Sequence, residues 1–161
     1  MRHVYTIERH RALAFQASGR FQKLDYSNIV VRVADGSKVL AEAAPFDAII
    51  VSACALKVPH ALKEQLNIGG RLIIPVGPDG VQCLKRITRV GADEYKEEDL
   101  GDVRFVPMIG EDAWAVDHPS EPPKQASKQN RGMENMMRSV VSVLDASIPP
   151  PGTRSARSHS P

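Results

Sequence analysis

Apolar and polar residues alternate in blocks along the first two thirds of the chain, and the blocks switch between a period near two and a period near four. His3-Val4-Tyr5-Thr6-Ile7 is β-branched and aromatic and predicts a strand. Residues 9–24 predict a helix, with Leu13, Ala17, Phe21 and Leu24 on one face. Gly19 inside it costs about 1 kcal/mol relative to Ala. Tyr26-Ser27-Asn28 reads as a turn, and Ile29–Val33 as a strand stopped by Ala34-Asp35-Gly36. Residues 38–44 suit a helical turn. Phe46–Val51 is apolar except for Asp47, the pattern of a strand covered on both faces.

Pro59 suits the first position of a helix, on which Leu62 and Leu66 lie one turn apart, and Gly69-Gly70 reads as its end. Arg71–Val76 predicts a strand, and Gln82–Val90, with weaker alternation, an edge strand. An acidic loop with Glu94, Glu97, Glu98, Asp99 and Asp102 then leads to a last strand at 103–108. Met133–Ala146 predicts a short helix, with Met136, Val140, Val143 and Leu144 on one side.

The order strand, helix, strand, turn, strand, helix, strand indicates an α/β protein with a parallel sheet and right-handed crossovers. After Trp114 the composition shifts. Residues 117–132 are rich in Pro, Ser, Lys and Gln and read as a linker, and 148–161 as a disordered tail. The expected organisation is therefore a folded domain at 1–116 and a low-complexity segment at 117–161.

Composition narrows the function classes. At 161 residues one domain is expected, and a net charge of +2 gives no field that would draw in nucleic acid. No apolar run approaches the roughly 20 residues that span a bilayer, which argues against a membrane. The first residues lack the apolar stretch of a signal peptide, so a cytoplasmic location is expected. Cys54 and Cys83 lack any zinc spacing and read as reduced, largely buried thiols, and no metal site is expected.

In open α/β sheets ligands bind outside the carboxyl ends of the strands. That rule selects Glu8, Asp35-Gly36, Ser52-Ala53-Cys54 and Val76-Gly77. A carboxylate at Glu8 can accept hydrogen bonds from both hydroxyls of a ribose, or it can cap the helix that follows. Asp35 can meet an adenine amino group, or it can simply form an Asp-Gly turn. Asp47 suits a strand start near solvent, and His60 a surface position with no triad around it. Arg104 can meet a carboxylate or follow from alternation on a half-exposed strand.

Several segments in order resemble the protein-L-isoaspartate O-methyltransferase family: Val-Tyr-Thr-Ile-Glu-Arg at 4–9, Asp-Gly at 35–36, and Ala-Pro-Phe-Asp-Ala-Ile-Ile-Val at 44–51. Leu-Asn-Ile-Gly-Gly-Arg-Leu-Ile-Ile-Pro-Val-Gly at 66–77, Leu-Lys-Arg at 84–86 and Val-Arg-Phe-Val-Pro at 103–107 continue it. Each is weak alone, but their order and spacing are specific. The resemblance implies a Rossmann-like sheet and methyl transfer from S-adenosylmethionine to the carboxylate of isoaspartyl residues in damaged proteins, a repair reaction. It implies that Glu8 holds the cofactor ribose and that Asp35 and Gly36 lie near the adenine. It also implies that Ser52, Ala53 and Cys54 line the transfer site and that Arg104, Phe105 and Val106 hold the substrate chain.

The chain starts at what would be the family's second strand. A partial sheet is therefore expected, without the first strand and its glycine-rich cofactor loop, and split where that central strand would lie. Gly110-Glu111-Asp112-Ala113-Trp114 resembles the end of the methyltransferase part of longer bacterial fusions. A truncated copy, inactive alone, is one reading, and a non-catalytic interaction module that keeps half of the sheet is another. A nicotinamide enzyme rests only on Glu8 after a strand, and no GxGxxG supports it.

Overall fold

The computed structural model describes residues 3–38 and 40–110, and the backbone of 140–145. In chain order the elements are β1 (His3–Glu8), α1 (Arg11–Lys23), β2 (Ile29–Val33), a 3-10 turn at Ala41–Ala43, β3 (Phe46–Val51) and α2 (His60–Glu64). β4 (Leu66–Val76), β5 (Gln82–Arg89), β6 (Tyr95–Val103) and β7 (Val140–Asp145) follow. One mixed α/β sheet holds all seven strands in the order β2-β1-β7-β3-β4-β5-β6.

The expected split sheet is corrected here. β1 pairs parallel with β2, and β3 parallel with β4, but β1 and β3 do not pair with each other. Between them lies β7, antiparallel to both. The segment read as a helix at 133–146 thus contains a strand at Val140–Asp145; its remaining residues lie outside the described part. A run of three valines and a leucine in six residues has more strand than helix preference, and two open strand edges supply the partner that decides it. The linker at 117–132 and the tail at 148–161 also lie outside the described residues.

Three further expectations change. α2 stops at Glu64 and β4 already starts at Leu66. Gly69 and Gly70 therefore do not end a helix. They lie in a wide bulge, where the register jumps from Phe46↔Leu66 to Ala48↔Arg71. Gly69 has a φ of 85°, and a Cβ at Gly70 would stand 2.8 Å from the carbonyl oxygens of both Asn67 and Phe46.

β5 is interior, bonded to β4 and β6, and the predicted acidic loop is the edge strand β6. Its charges are what an exposed edge needs to resist pairing with other chains. Arg86 fixes it through a two-pronged pair with Glu98, at 3.1 and 3.0 Å. Finally, the strand expected at 103–108 is not one: Val103 ends β6, and Pro107 forms only an isolated bridge with Cys54.

One core gathers Ile7, Leu40, Phe46, Ile49, Val51, Leu62, Leu66, Leu72, Ile74, Ile87 and Met108. α1 buries Ala14 and half-buries Leu13, Ala17 and Phe21, while Leu24 stays exposed at its end. Arg89 fastens the outer part. Its guanidinium donates to the carbonyls of Glu64, Leu66, Gly91 and Ala92, tying the end of α2 and the start of β4 to the β5–β6 turn.

Candidate functional site

The sheet order groups the carboxyl ends of the strands. Glu8 ends β1 beside the end of β2, where Asp35 follows. Ser52–Ala55 leave β3 beside the end of β4. β7 begins between the two groups, because Val140 pairs with Glu8 and Val141 with Val51.

Glu8 is 4% exposed. The amide of His10 donates to its Oε1 at 2.7 Å, which is the helix-entry reading of this acid. The Arg9 amide also lies against the carboxyl. Burial pushes the Glu8 carboxyl above its ordinary value, against the pull of the backbone hydrogen bonds from His10 and Arg9 and of those residues' charges. The carboxylate is thus held at the helix entry by backbone donors, at the carboxyl end of β1.

Asp35 is half-buried and holds its own turn. The amide and hydroxyl of the fully buried Ser37 both donate to Asp35 Oδ1, at 2.9 and 2.8 Å. Gly110 closes over this turn so tightly that a Cβ there would overlap the Asp35 carboxylate and lie 2.7 Å from Ser37 Oγ. Asp35 is therefore a turn former whose carboxylate sits at the carboxyl end of β2. Gly36 lies at the tip of that turn.

The loop after β3 is stitched on both sides. Cys54 N donates to Val106 O at 2.8 Å, and Met108 N to Cys54 O at 2.7 Å. On the other side Ala55 N donates to Pro75 O, and Gly77 N to Ala55 O, both at 3.0 Å. The structure thus joins Ser52, Ala53 and Cys54 to Arg104, Phe105 and Val106, two groups that the sequence separates by fifty residues. Ser52, Arg104 and Phe105 are exposed, while Ala53 and Cys54 are buried. Burial pushes the Cys54 thiol up to about 11, so it stays protonated at neutral pH.

Three residues that sequence reasoning did not select also build the site. Gln82 clamps Phe105, Ser37 holds Asp35, and Gly110 admits both to close contact. Gln82 left a faint signal, a polar residue opening an apolar strand. Ser37 and Gly110 left none, because their role depends on contacts distant in the chain. Of the residues set aside, Asp47 accepts from Asn67 Nδ2 at 2.7 Å, and His60 is exposed beside Glu64.

With this arrangement, comparison with known proteins decides the family. The sequence model of protein-L-isoaspartate(D-aspartate) O-methyltransferase matches residues 1–113. The chain belongs to this family. A protein-L-isoaspartate O-methyltransferase of Brucella anthropi is 54% identical over 112 residues, covering 69% of this chain and 52% of the relative. One of Rhodopseudomonas palustris is 46% identical over 119 residues, covering 73% and 55%. The chain spans about half the length of the curated relatives it matches.

Among solved structures, a protein-L-isoaspartate O-methyltransferase of Plasmodium falciparum in complex with S-adenosyl-L-homocysteine superposes with a TM-score of 0.56 at 28% identity. The match covers 64% of this chain and 50% of that one. A second protein-L-isoaspartate O-methyltransferase structure matches with a TM-score of 0.61 at 22% identity and supports the fold, covering 68% of this chain and 34% of its own. No described helix is long and apolar enough to cross a membrane.

Proposed function

We propose that this chain carries the nucleoside-binding and substrate-facing part of an S-adenosylmethionine-dependent isoaspartyl carboxyl methyltransferase, serving protein repair in the cytoplasm. The observation that carries the reading is Glu8: a nearly buried carboxylate at the carboxyl end of β1, held by the backbone of the helix entry beside the end of β2. In this reading Glu8 accepts from a ribose hydroxyl, and Asp35 and Gly36 border the adenine. Ser52, Ala53 and Cys54 line the transfer site, and Arg104, Phe105 and Val106 hold an isoaspartyl protein or peptide.

The residues fit the nucleoside end of the co-substrate. When bound, the co-substrate supplies an electrophilic methyl group, which passes to a substrate carboxylate oxygen as its bond to sulfur breaks. That carboxylate needs no general base, so the protein's task is to orient the two partners and exclude water. Arg104 offers a cation to an acidic chain, and the protonated Cys54 thiol does not compete as a methyl acceptor.

Among the described residues none follows a first strand to hold the methionine end. In the place between β1 and β3 runs β7, in the antiparallel direction. The chain alone is therefore proposed to bind the nucleoside weakly and to turn over no substrate. A second reading, a non-catalytic interaction module, draws support from the same strand, because β7 completes the sheet without completing a cofactor loop.

Calorimetric titration of the full chain with S-adenosyl-L-homocysteine, beside a radiolabelled methyl-transfer assay on an isoaspartyl peptide, separates these readings. Weak binding that Glu8→Ala abolishes, without turnover, is expected. Binding that Glu8→Ala leaves unchanged overturns the assignment of the ribose site. Absence of binding favours the interaction module, and turnover overturns inactivity.

A further inference from the structure

Among the described residues, every strand pairing between the two parts of the sheet runs through β7. β1 and β2 pair with each other, β3 to β6 pair in series, and β7 alone bridges them. It is matched to β1 from His3↔Asp145 to Glu8↔Val140, and to β3 from Ala48↔Leu144 to Val51↔Val141. β1 and β3 run in the same direction, so any strand antiparallel to one is antiparallel to the other. The slot thus presents two rows of N–H and C=O groups that require a partner. That partner arrives from far away in sequence: 29 residues, 111–139, separate Gly110 from Val140.

We propose that the slot between β1 and β3 is a strand-acceptor site, and that its occupant in trans is the Val140–Asp145 strand of a second copy of this chain. A second copy is the fitting partner because the matching sequence, Val-Val-Ser-Val-Leu-Asp, is already seated in register on both edges, and every copy carries it. Strand addition draws affinity from main-chain hydrogen bonds and specificity from alternate side chains. Reciprocal exchange gives a closed two-fold pair rather than an open fibre.

The tether sets the balance. A strand joined to its slot through 29 residues of the same chain competes at an effective concentration on the order of 1 mM. The chain's own strand therefore wins at micromolar concentrations. The partner's strand enters as the concentration approaches that value or when the internal strand is disabled.

The test uses the full chain and a labelled synthetic peptide spanning residues 138–147. In an interior strand every N–H is engaged, so Val141→Pro with Val143→Pro disables the internal donor while leaving both slot edges intact. Fluorescence anisotropy should show saturable peptide binding to this variant. If its dissociation constant is about 10 μM, competition from the internal strand makes binding to the natural chain about 100-fold weaker. A peptide of the same composition in scrambled order should bind neither. Equal binding by variant and natural chain, equal binding of the scrambled peptide, or no binding by a folded variant overturns the proposal.

Should the variant not fold, hydrogen exchange on the natural chain decides. Millimolar peptide should strip protection from 140–145 while 3–8 and 46–51 keep theirs. Protection of 140–145 that persists at this concentration overturns the proposal equally.

Discussion

Gln82 and Phe105 hold each other through both ends of one amide. Gln82 Nε2 donates to Phe105 O at 2.9 Å, and Phe105 N donates to Gln82 Oε1 at 2.7 Å. Gln82 is 3% exposed, so its amide has little water to fall back on. It thereby imitates a strand partner for residues that form no strand, and it fixes the loop that meets Cys54. Gln82→Ala should leave the Phe105 amide and carbonyl without protein partners, at about 1–3 kcal/mol. Thermal unfolding should register that loss, and hydrogen exchange at 104–108 should accelerate more than elsewhere. Gln82→Glu retains the acceptor but sets a second oxygen, with a charge, against the Phe105 carbonyl, and should cost at least as much as Gln82→Ala at neutral pH. An unchanged midpoint for Gln82→Ala would show that the loop is held by its bonds to Cys54 alone.

Gly110 makes a separate prediction. Because a Cβ there meets the Asp35 carboxylate and Ser37 Oγ, Gly110→Ala forces the turn after β2 open. Overpacking of this kind costs about 1–3 kcal/mol. The matching deletion, Ser37→Ala, removes one of the crowding atoms and, with it, the hydroxyl donor that holds the other, the Asp35 carboxylate, in place. The double variant should therefore be less destabilised than the sum of its two single changes. Additive losses in denaturant unfolding would indicate that the two residues do not share a contact.

The parts of the fold that were legible in the sequence are those set by local pattern. The β-branched run of β1, the stripe of α1 and the apolar block of β3 each declared their period, and the order of elements declared the parallel pairs β1–β2 and β3–β4, but not the antiparallel strands that make the sheet a mixed one. The carboxyl-end rule then selected Glu8, Asp35 and the 52–54 loop from topology alone. What stayed hidden was decided by distant partners. Val140–Asp145 lies in a segment that reads as a helix until two open edges claim it as a strand. Gly69-Gly70 looks like a helix stop, but the chain uses it to pass a bulge against Phe46. The acidic run at 97–99 resembles a loop because an edge strand facing water needs no alternation.

The two cysteines should separate under alkylation. Cys54 is fully buried, with its thiol against the carbonyls of Ala55 and Gly77 and its acidity suppressed, whereas Cys83 is half-buried on β5. Iodoacetamide at pH 8 should label Cys83 first, and Cys54 only as the chain unfolds. Mass spectrometry of the labelled peptides over a urea series checks this: Cys54 labelling should follow the unfolding transition. Rapid labelling of Cys54 in native buffer would mean that the 52–55 loop opens without global unfolding.

Glu8 should make the chain less stable as pH rises. Its carboxyl is raised above the ordinary value of 4.5 in the folded state, so folding favours the protonated form. Below 4.5 the group is protonated whether folded or not, and it carries no penalty. As pH climbs from there through the raised value the unfolded chain loses its proton first, and stability falls across that window and stays lower above it. Glu8→Gln keeps an oxygen to accept from His10 N and removes the charge. It should raise the unfolding midpoint at pH 7, leave it unchanged near pH 4, and flatten the pH profile between. The same substitution takes away the carboxylate proposed to receive the ribose, so nucleoside binding should weaken by about 10-fold or more, the worth of one charge-assisted hydrogen bond. Stability gained together with affinity lost identifies Glu8 as a group kept for ligand binding at the expense of the fold. Affinity unchanged despite the gain in stability would leave it only the role of steering the chain into α1.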